Sequence, residues 1–210
     1  MITNEKKVAA YLLQSKAIIL KPANPFLWSS GWHAPIYCDN RITLSYPEIR
    51  TFIRDAFVEV IQSQFSSAQL VAGVATGAIA QGVLVAEKMG IPFAYVRSAP
   101  KGHGLENLIE GKVEKGQKVI VIEDLISTGG SSLKAVDALR NEGCEVIGMC
   151  AIFTYQFKVA MDNFAKSNCK LAVLSNYSVL LDLALETGYI RKEHLEILKR
   201  WRENPETWKP

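Results

Sequence analysis

Two adjacent carboxylates, Glu123 and Asp124, follow a continuous β-branched run, Val119-Ile120-Val121-Ile122. After Leu125 and Ile126 comes a stretch of small and hydroxylated residues, Ser127-Thr128-Gly129-Gly130-Ser131-Ser132. The order is strand, acidic pair, small-residue loop and helix start, which suits a phosphorylated sugar. Glycine lets a backbone approach a ligand closely. The free N–H groups and dipole of a helix start attract an anion. The hydroxyls of Ser127, Thr128 and Ser131 add further donors. The acids lie too close to that anion to favour a second phosphate, but they accept hydrogen bonds from ribose hydroxyls. A solvated strand end before a capped helix explains each feature singly, but not all of them together. Two other nucleotide motifs are excluded. No Lys follows the glycines as a Walker A loop requires, and no GxGxxG opens a helix after a strand.

A second candidate is Arg97-Ser98-Ala99-Pro100-Lys101-Gly102-His103-Gly104. It places three cationic or protonatable groups within seven residues. It belongs to a long polar stretch, residues 97–118, without apolar periodicity. Such a stretch inside a compact domain is functional or solvated.

The elements that position these residues alternate in type. Val8, Tyr11 and Leu12 have helical spacing, with Thr3 or Asn4 as the cap. Residues 21–40, rich in Pro, Ser, Gly and aromatics, read as strands and turns. Ser45 and Pro47 open a helix carrying Ile49, Phe52, Ile53, Ala56, Phe57, Val60 and Ile61 on one face. Strands are predicted at 70–75, 91–96, 119–122, 146–153 and 171–174. Helices are predicted through 83–89 and at 131–142, 157–164, 179–186 and 192–202, with Gly143 as a left-handed cap. This alternation predicts an α/β fold with a mostly parallel sheet covered on both faces. Ligands of such sheets bind at the carboxyl ends of the strands.

The bulk properties agree. A chain of 210 residues with 49% apolar content fits one α/β domain with a small appended lobe. A net charge of +3 with scattered basic residues argues against nucleic acid. No run approaches a membrane span, and the polar first residues do not read as a signal peptide. Cys38, Cys144, Cys150 and Cys169 form no CxxC pair or metal-ligand cluster, and read as reduced cytoplasmic thiols.

Residues 119–131 resemble the phosphoribosyl diphosphate (PRPP) motif of type I phosphoribosyltransferases. YVRSAPKGHG with Ile109-Glu110-Gly111 resembles the catalytic loop of orotate phosphoribosyltransferases. Ser30-Gly31 through Pro35-Ile36-Tyr37-Cys38-Asp39-Asn40-Arg41 resembles that family's orotate-side element, and Gly73-Val74-Ala75-Thr76-Gly77-Ala78 its pyrophosphate-side loop. The resemblance implies a type I phosphoribosyltransferase fold with a hood mainly from about residues 1–45, a possible C-terminal contribution to it, and a core of about residues 46–175. It implies transfer of phosphoribosyl to orotate, with Mg²⁺, in a homodimer whose loop cations serve the neighbouring site.

By the same resemblance, Arg97, Lys101, His103 and Asp124 are catalytic. PRPP is held by these four with Glu123, Leu125, Ile126, Ser127, Thr128, Gly129, Gly130, Ser131, Thr76 and Gly77. Orotate is read by Ser127, Ser30 and Tyr37, and no direct metal ligand is assigned. The chain departs from many members at Ser98 and Ala99, near Ser29 or His33, and near Gly77, where lysines or other basic residues are common. Arg41 and Lys21 are the candidates to compensate. A purine phosphoribosyltransferase and a PRPP-sensing regulator are the rival readings. The orotate-side element argues against the first. The loop cations argue against the second.

Overall fold

The computed structural model describes residues 3–28, 30–99 and 108–210. Helix α1 (Asn4–Gln14) starts at Thr3, whose hydroxyl accepts from the Lys6 amide. Four short strands follow: β1 (Ile18–Leu20), β2 (Phe26–Leu27), β3 (His33–Ala34) and β4 (Ile36–Cys38). β1 pairs antiparallel with β4, and β2 with β3. These two ribbons are not hydrogen-bonded into the main sheet. A 3₁₀ turn, Asn40–Ser45, leads into α2 (Pro47–Gln64). Proline opens α2, as expected, because its missing N–H is not needed there. Ser45 closes the turn before it instead. The N-cap residue is Tyr46, without a side-chain cap.

The rest is β5 (Leu70–Val74), α3 (Ile79–Met89), β6 (Phe93–Val96), β7 (Ile109–Glu110), β8 (Lys118–Ile126), α4 (Gly130–Asn141), β9 (Glu145–Thr154), α5 (Lys158–Lys166), β10 (Leu171–Asn176), α6 (Tyr177–Glu186) and α7 (Lys192–Glu203). The main sheet has the order β10-β9-β8-β5-β6-β7. All its pairs are parallel except β6 with β7. The predicted mostly parallel sheet is therefore present, with an antiparallel edge strand that two residues were too few to announce.

The apolar run of β8 explains why the sheet is covered on both faces. Val119, Ile120, Val121 and Ile122 are all fully buried, on alternating sides. Ile120 and Ile122 join a core layer with residues of α1, α2, α3, α6 and α7. Val119 and Val121 join the opposite layer with α4 and α5. The buried thiols Cys144, Cys150 and Cys169 pack in these layers, and the four cysteines are free.

One boundary differs in a way that matters. Sequence reasoning ends the strand at Ile122, where charge begins. β8 instead runs on through Glu123 and Asp124 to Ile126. The strand survives because β9 pairs with it that far, Glu123 opposite Ala151 and Ile126 opposite Thr154. The acidic pair therefore sits on a strand, whose alternation turns the two side chains to different surroundings.

Candidate active site

The carboxyl ends of β5, β6 and β8 open into a cleft of about 810 Å³. Its wall includes Thr76, Gly77, Arg97, Glu123, Asp124, Leu125, Ser127, Thr128, Gly129, Gly130 and Ser131. Residues scattered between positions 76 and 131 are thus brought to one cleft by the parallel sheet. Ile126 is the exception. Its side chain is fully buried in the core layer beside α4 and α5, and its carbonyl accepts the Tyr155 amide at 3.2 Å. Lys101 and His103 lie outside the described residues.

The loop before α4 is built to receive an anion. Gly129 has φ +81°, a left-handed conformation that a side chain resists. A Cβ there would also lie 2.9 Å from the Phe164 ring. No side chain caps α4, so the N–H groups of its first turn are left for a ligand. The loop is anchored from behind, where Asn163 of α5 donates to the Thr128 carbonyl at 3.0 Å.

The two acids differ in burial. Glu123 is 4% exposed. One carboxyl oxygen accepts from the Ser132 hydroxyl at 2.8 Å, and the other from the Asp124 amide at 3.0 Å. Burial, then the neighbouring Asp124 carboxylate, pushes its pKa up to about 8. Asp124 is only partly buried. Its carbonyl accepts from the buried Asn40 side chain at 2.6 Å. Across the cleft, Gly77 abuts the Asp124 carboxylate so closely that an added Cβ would overlap it. Asp124 is the less buried acid at the cleft wall, while Glu123 is held by Ser132.

Arg97 ends β6. Its amide donates to the Leu108 carbonyl at 2.8 Å, and its guanidinium pairs with Glu110 at 3.4 Å. Arg41, a candidate to compensate for missing lysines, is held by Asp39 through two bonds of 2.7 and 2.9 Å. Lys21 places its ammonium 5.0 Å from the Phe26 ring centroid.

A second cavity of about 760 Å³ adjoins the first, and both are lined by Leu125, Ser127 and Thr128. Its other walls are mostly aromatic: Phe26, Trp28, Trp32, Tyr37 and Tyr155, with Ser30 and Cys38. Trp28 stacks on Trp32 at 6.4 Å and donates its indole N–H to the Ile36 carbonyl at 3.0 Å. The two tryptophans therefore both pack and line the pocket. Tyr155, which sequence reasoning passed over, lies just past the end of β9. Nothing near it in sequence marks it as part of a pocket shared with the ribbons β2 to β4.

A family model described as phosphoribosyl transferase domain matches residues 44–185. The orotate phosphoribosyltransferase of Porphyromonas gingivalis is 57% identical over 208 residues, 99% of each chain. That of Lactococcus lactis subsp. cremoris is 53% identical over 97% of each. Among solved structures, orotate phosphoribosyltransferase from Aeropyrum pernix matches with a TM-score of 0.76 at 27% identity, covering 88% of this chain and 99% of that one. An uncapped helix start beside a carboxylate and an aromatic pocket, on a sheet of this topology, agrees with those likenesses, and the chain belongs to the orotate phosphoribosyltransferase family.

Proposed function

We propose that the chain transfers phosphoribosyl from 5-phosphoribosyl 1-diphosphate to orotate, giving orotidine 5′-monophosphate and pyrophosphate for pyrimidine synthesis. The observation that carries this reading is the pair of adjoining cavities joined at Leu125, Ser127 and Thr128. One suits a ribose phosphate. The other suits a flat base. Their junction is where the bond from ribose C1 to the diphosphate oxygen breaks and the bond from C1 to the orotate ring nitrogen forms.

The 5′-phosphate is received by the first turn of α4 and the hydroxyls of Ser127, Thr128 and Ser131. Asp124 accepts from the ribose hydroxyls and faces the positive charge that develops on the sugar. Thr76 and Gly77 border the diphosphate. Arg97, with Lys101 and His103, stabilises the departing charge. Ser127, Ser30 and Tyr37 stand on the base side.

Mg²⁺ fits this site as a companion of the diphosphate. Among the described residues no group of three or more His, Cys, Asp or Glu could hold a metal ion. Glu123 is bonded to Ser132, which leaves Asp124 as the less buried of the two strand acids at the cleft wall. A hard cation of this kind binds substrate phosphates and water with one or two carboxylates. Its contribution when bound is to neutralise diphosphate oxygens.

The same proposal includes a homodimer, a cytoplasmic location and the division into hood and core. Free cysteines support the location. No helix among the described residues is long and apolar enough to cross a membrane. For the hood, the Trp201 indole of α7 donates to the His33 carbonyl at 3.2 Å, tying the C-terminal helix to the lobe. Helix α1 packs on β10 and α6, so the lobe's own surface lies in its ribbons.

The test is incubation with PRPP, Mg²⁺ and a panel of bases. Loss of orotate absorbance with pyrophosphate release is expected. Turnover of adenine or hypoxanthine alone would overturn the proposal, and binding without turnover would favour a sensor.

A further inference from the structure

A ligand with its phosphate at α4 and its ribose on Asp124 binds two elements at once. It gains from both attachments only when the elements stand at the right separation. The connecting loop is poorly suited to fix that separation alone. It turns through Gly129 at φ +81°, a conformation that glycine enters and leaves freely. The bond from Asn163 to the Thr128 carbonyl fastens the loop to α5, which carries neither attachment.

A buried contact makes the direct connection. Ser131 and Ser132 are neighbours in the first turn of α4, yet Ser131 is exposed and Ser132 is 1% exposed. The Ser132 hydroxyl donates to Glu123 Oε2 at 2.8 Å, nine residues back on β8. Glu123 Oε1 accepts from the Asp124 amide at 3.0 Å. One carboxyl group therefore joins the helix turn proposed for the phosphate to the backbone of the residue proposed for the ribose. The link does not depend on the charge of Glu123. A carboxyl oxygen accepts, a carboxylic O–H donates, and a serine hydroxyl does both.

Burial gives the link its stiffness. Glu123 is 4% exposed, so water is a poor substitute for the serine. Removing the hydroxyl leaves a carboxyl oxygen buried without its partner, and the helix turn is then free to shift against the strand.

We propose that Ser132, acting through Glu123, is a positioning residue that fixes the distance between the phosphate and ribose subsites. This rests on the PRPP reading of the cleft and deepens it.

The test is calorimetric titration of the full chain, of Ser132→Ala and of Ser132→Cys with inorganic phosphate, ribose 5-phosphate and PRPP. Phosphate meets the helix turn alone, whereas the other two span both subsites. In the alanine variant, affinity for ribose 5-phosphate and PRPP should fall about tenfold, the size of one hydrogen bond to a carboxyl group. Affinity for phosphate should stay at the parent value. In steady state, the KM for PRPP should rise by a similar factor with kcat close to the parent, as for lost ground-state binding. Cysteine keeps the volume and is a weaker donor, so its losses should lie between parent and alanine. It carries the comparison if alanine melts too low to titrate. Equal losses for phosphate and ribose 5-phosphate, or no loss for either, would overturn the role of Ser132. A parent that binds none of the three ligands would overturn the reading of the cleft itself.

Discussion

Gly77 makes the sharpest demand on the geometry, and replacing it with alanine isolates one contact. The backbone conformation of Gly77 is not left-handed, so the added methyl brings no dihedral strain of its own. What it brings is collision. The new Cβ would stand 2.7 Å from Asp124 Oδ1, where ordinary contact begins at 3.4 Å, a deficit of roughly 0.7 Å. The other carboxylate atoms would be closer still. Asp124 is the flexible partner and has open cleft on one side, so the carboxylate moves and the fold survives. Overpacking of this kind costs about 1–3 kcal/mol. The functional cost is larger, because displacing a reacting group by about 1 Å lowers turnover on the order of 100-fold. The assay is the steady-state rate of orotate consumption, with thermal melting alongside. Gly90→Ala is the control. Gly90 also caps a helix in a left-handed conformation, with nothing within 4 Å of an added Cβ. It should lose stability and keep kcat. A Gly77→Ala enzyme with activity close to the parent would refute the placement of Asp124 against this loop.

Arg97→Ala should lower kcat about 100-fold with little change in the KM for orotate. Its melting point should barely move, since a partly exposed ion pair with Glu110 contributes up to about 1 kcal/mol. Asn40→Ala strands the Asp124 carbonyl and should cost about 1–3 kcal/mol in denaturant titration, with a loss of activity. Glu123 makes stability depend on pH. Its pKa is about 8 in the fold against 4.5 for an ordinary glutamate, so its contribution is complete below 4.5 and fades as pH rises towards 8. Between those values the unfolded chain releases a proton that the folded chain keeps. Glu123→Gln should flatten that decline in denaturant titrations from pH 5 to 8.5, and an unchanged slope would show that Glu123 is not its source.

What could be read from the sequence follows from how far apart the cooperating residues lie. The proposed phosphate cradle is contiguous. Strand, acid, loop and helix occur in order within residues 118–141, and each step has a local physical signature. The sheet was legible for a similar reason, since runs such as 119–122 are apolar on both faces. The continuation of β8 through Glu123 was not. A carboxylate in a buried strand makes sense only once Ser132 is known to meet it, and that partner comes from the next helix. The base pocket is harder again. Its walls come from the ribbons at 26–38 and from Tyr155, and they meet only because β9 lies beside β8. Arg41 marks another limit of the sequence. As a sequence position it reads as a free cation, but in the fold Asp39, two residues away, pairs with it.

The central claim is that one ligand spans both cavities, with its phosphate at α4 and its base against Tyr155. A crystal structure with orotidine 5′-monophosphate tests this most directly. The account predicts the phosphate within hydrogen-bond distance of the 129–131 amides, the ribose hydroxyls on Asp124, and the orotate ring in the pocket lined by Phe26, Trp28 and Tyr155. A nucleotide bound with its phosphate away from the α4 terminus, or its ring outside the aromatic pocket, would contradict it.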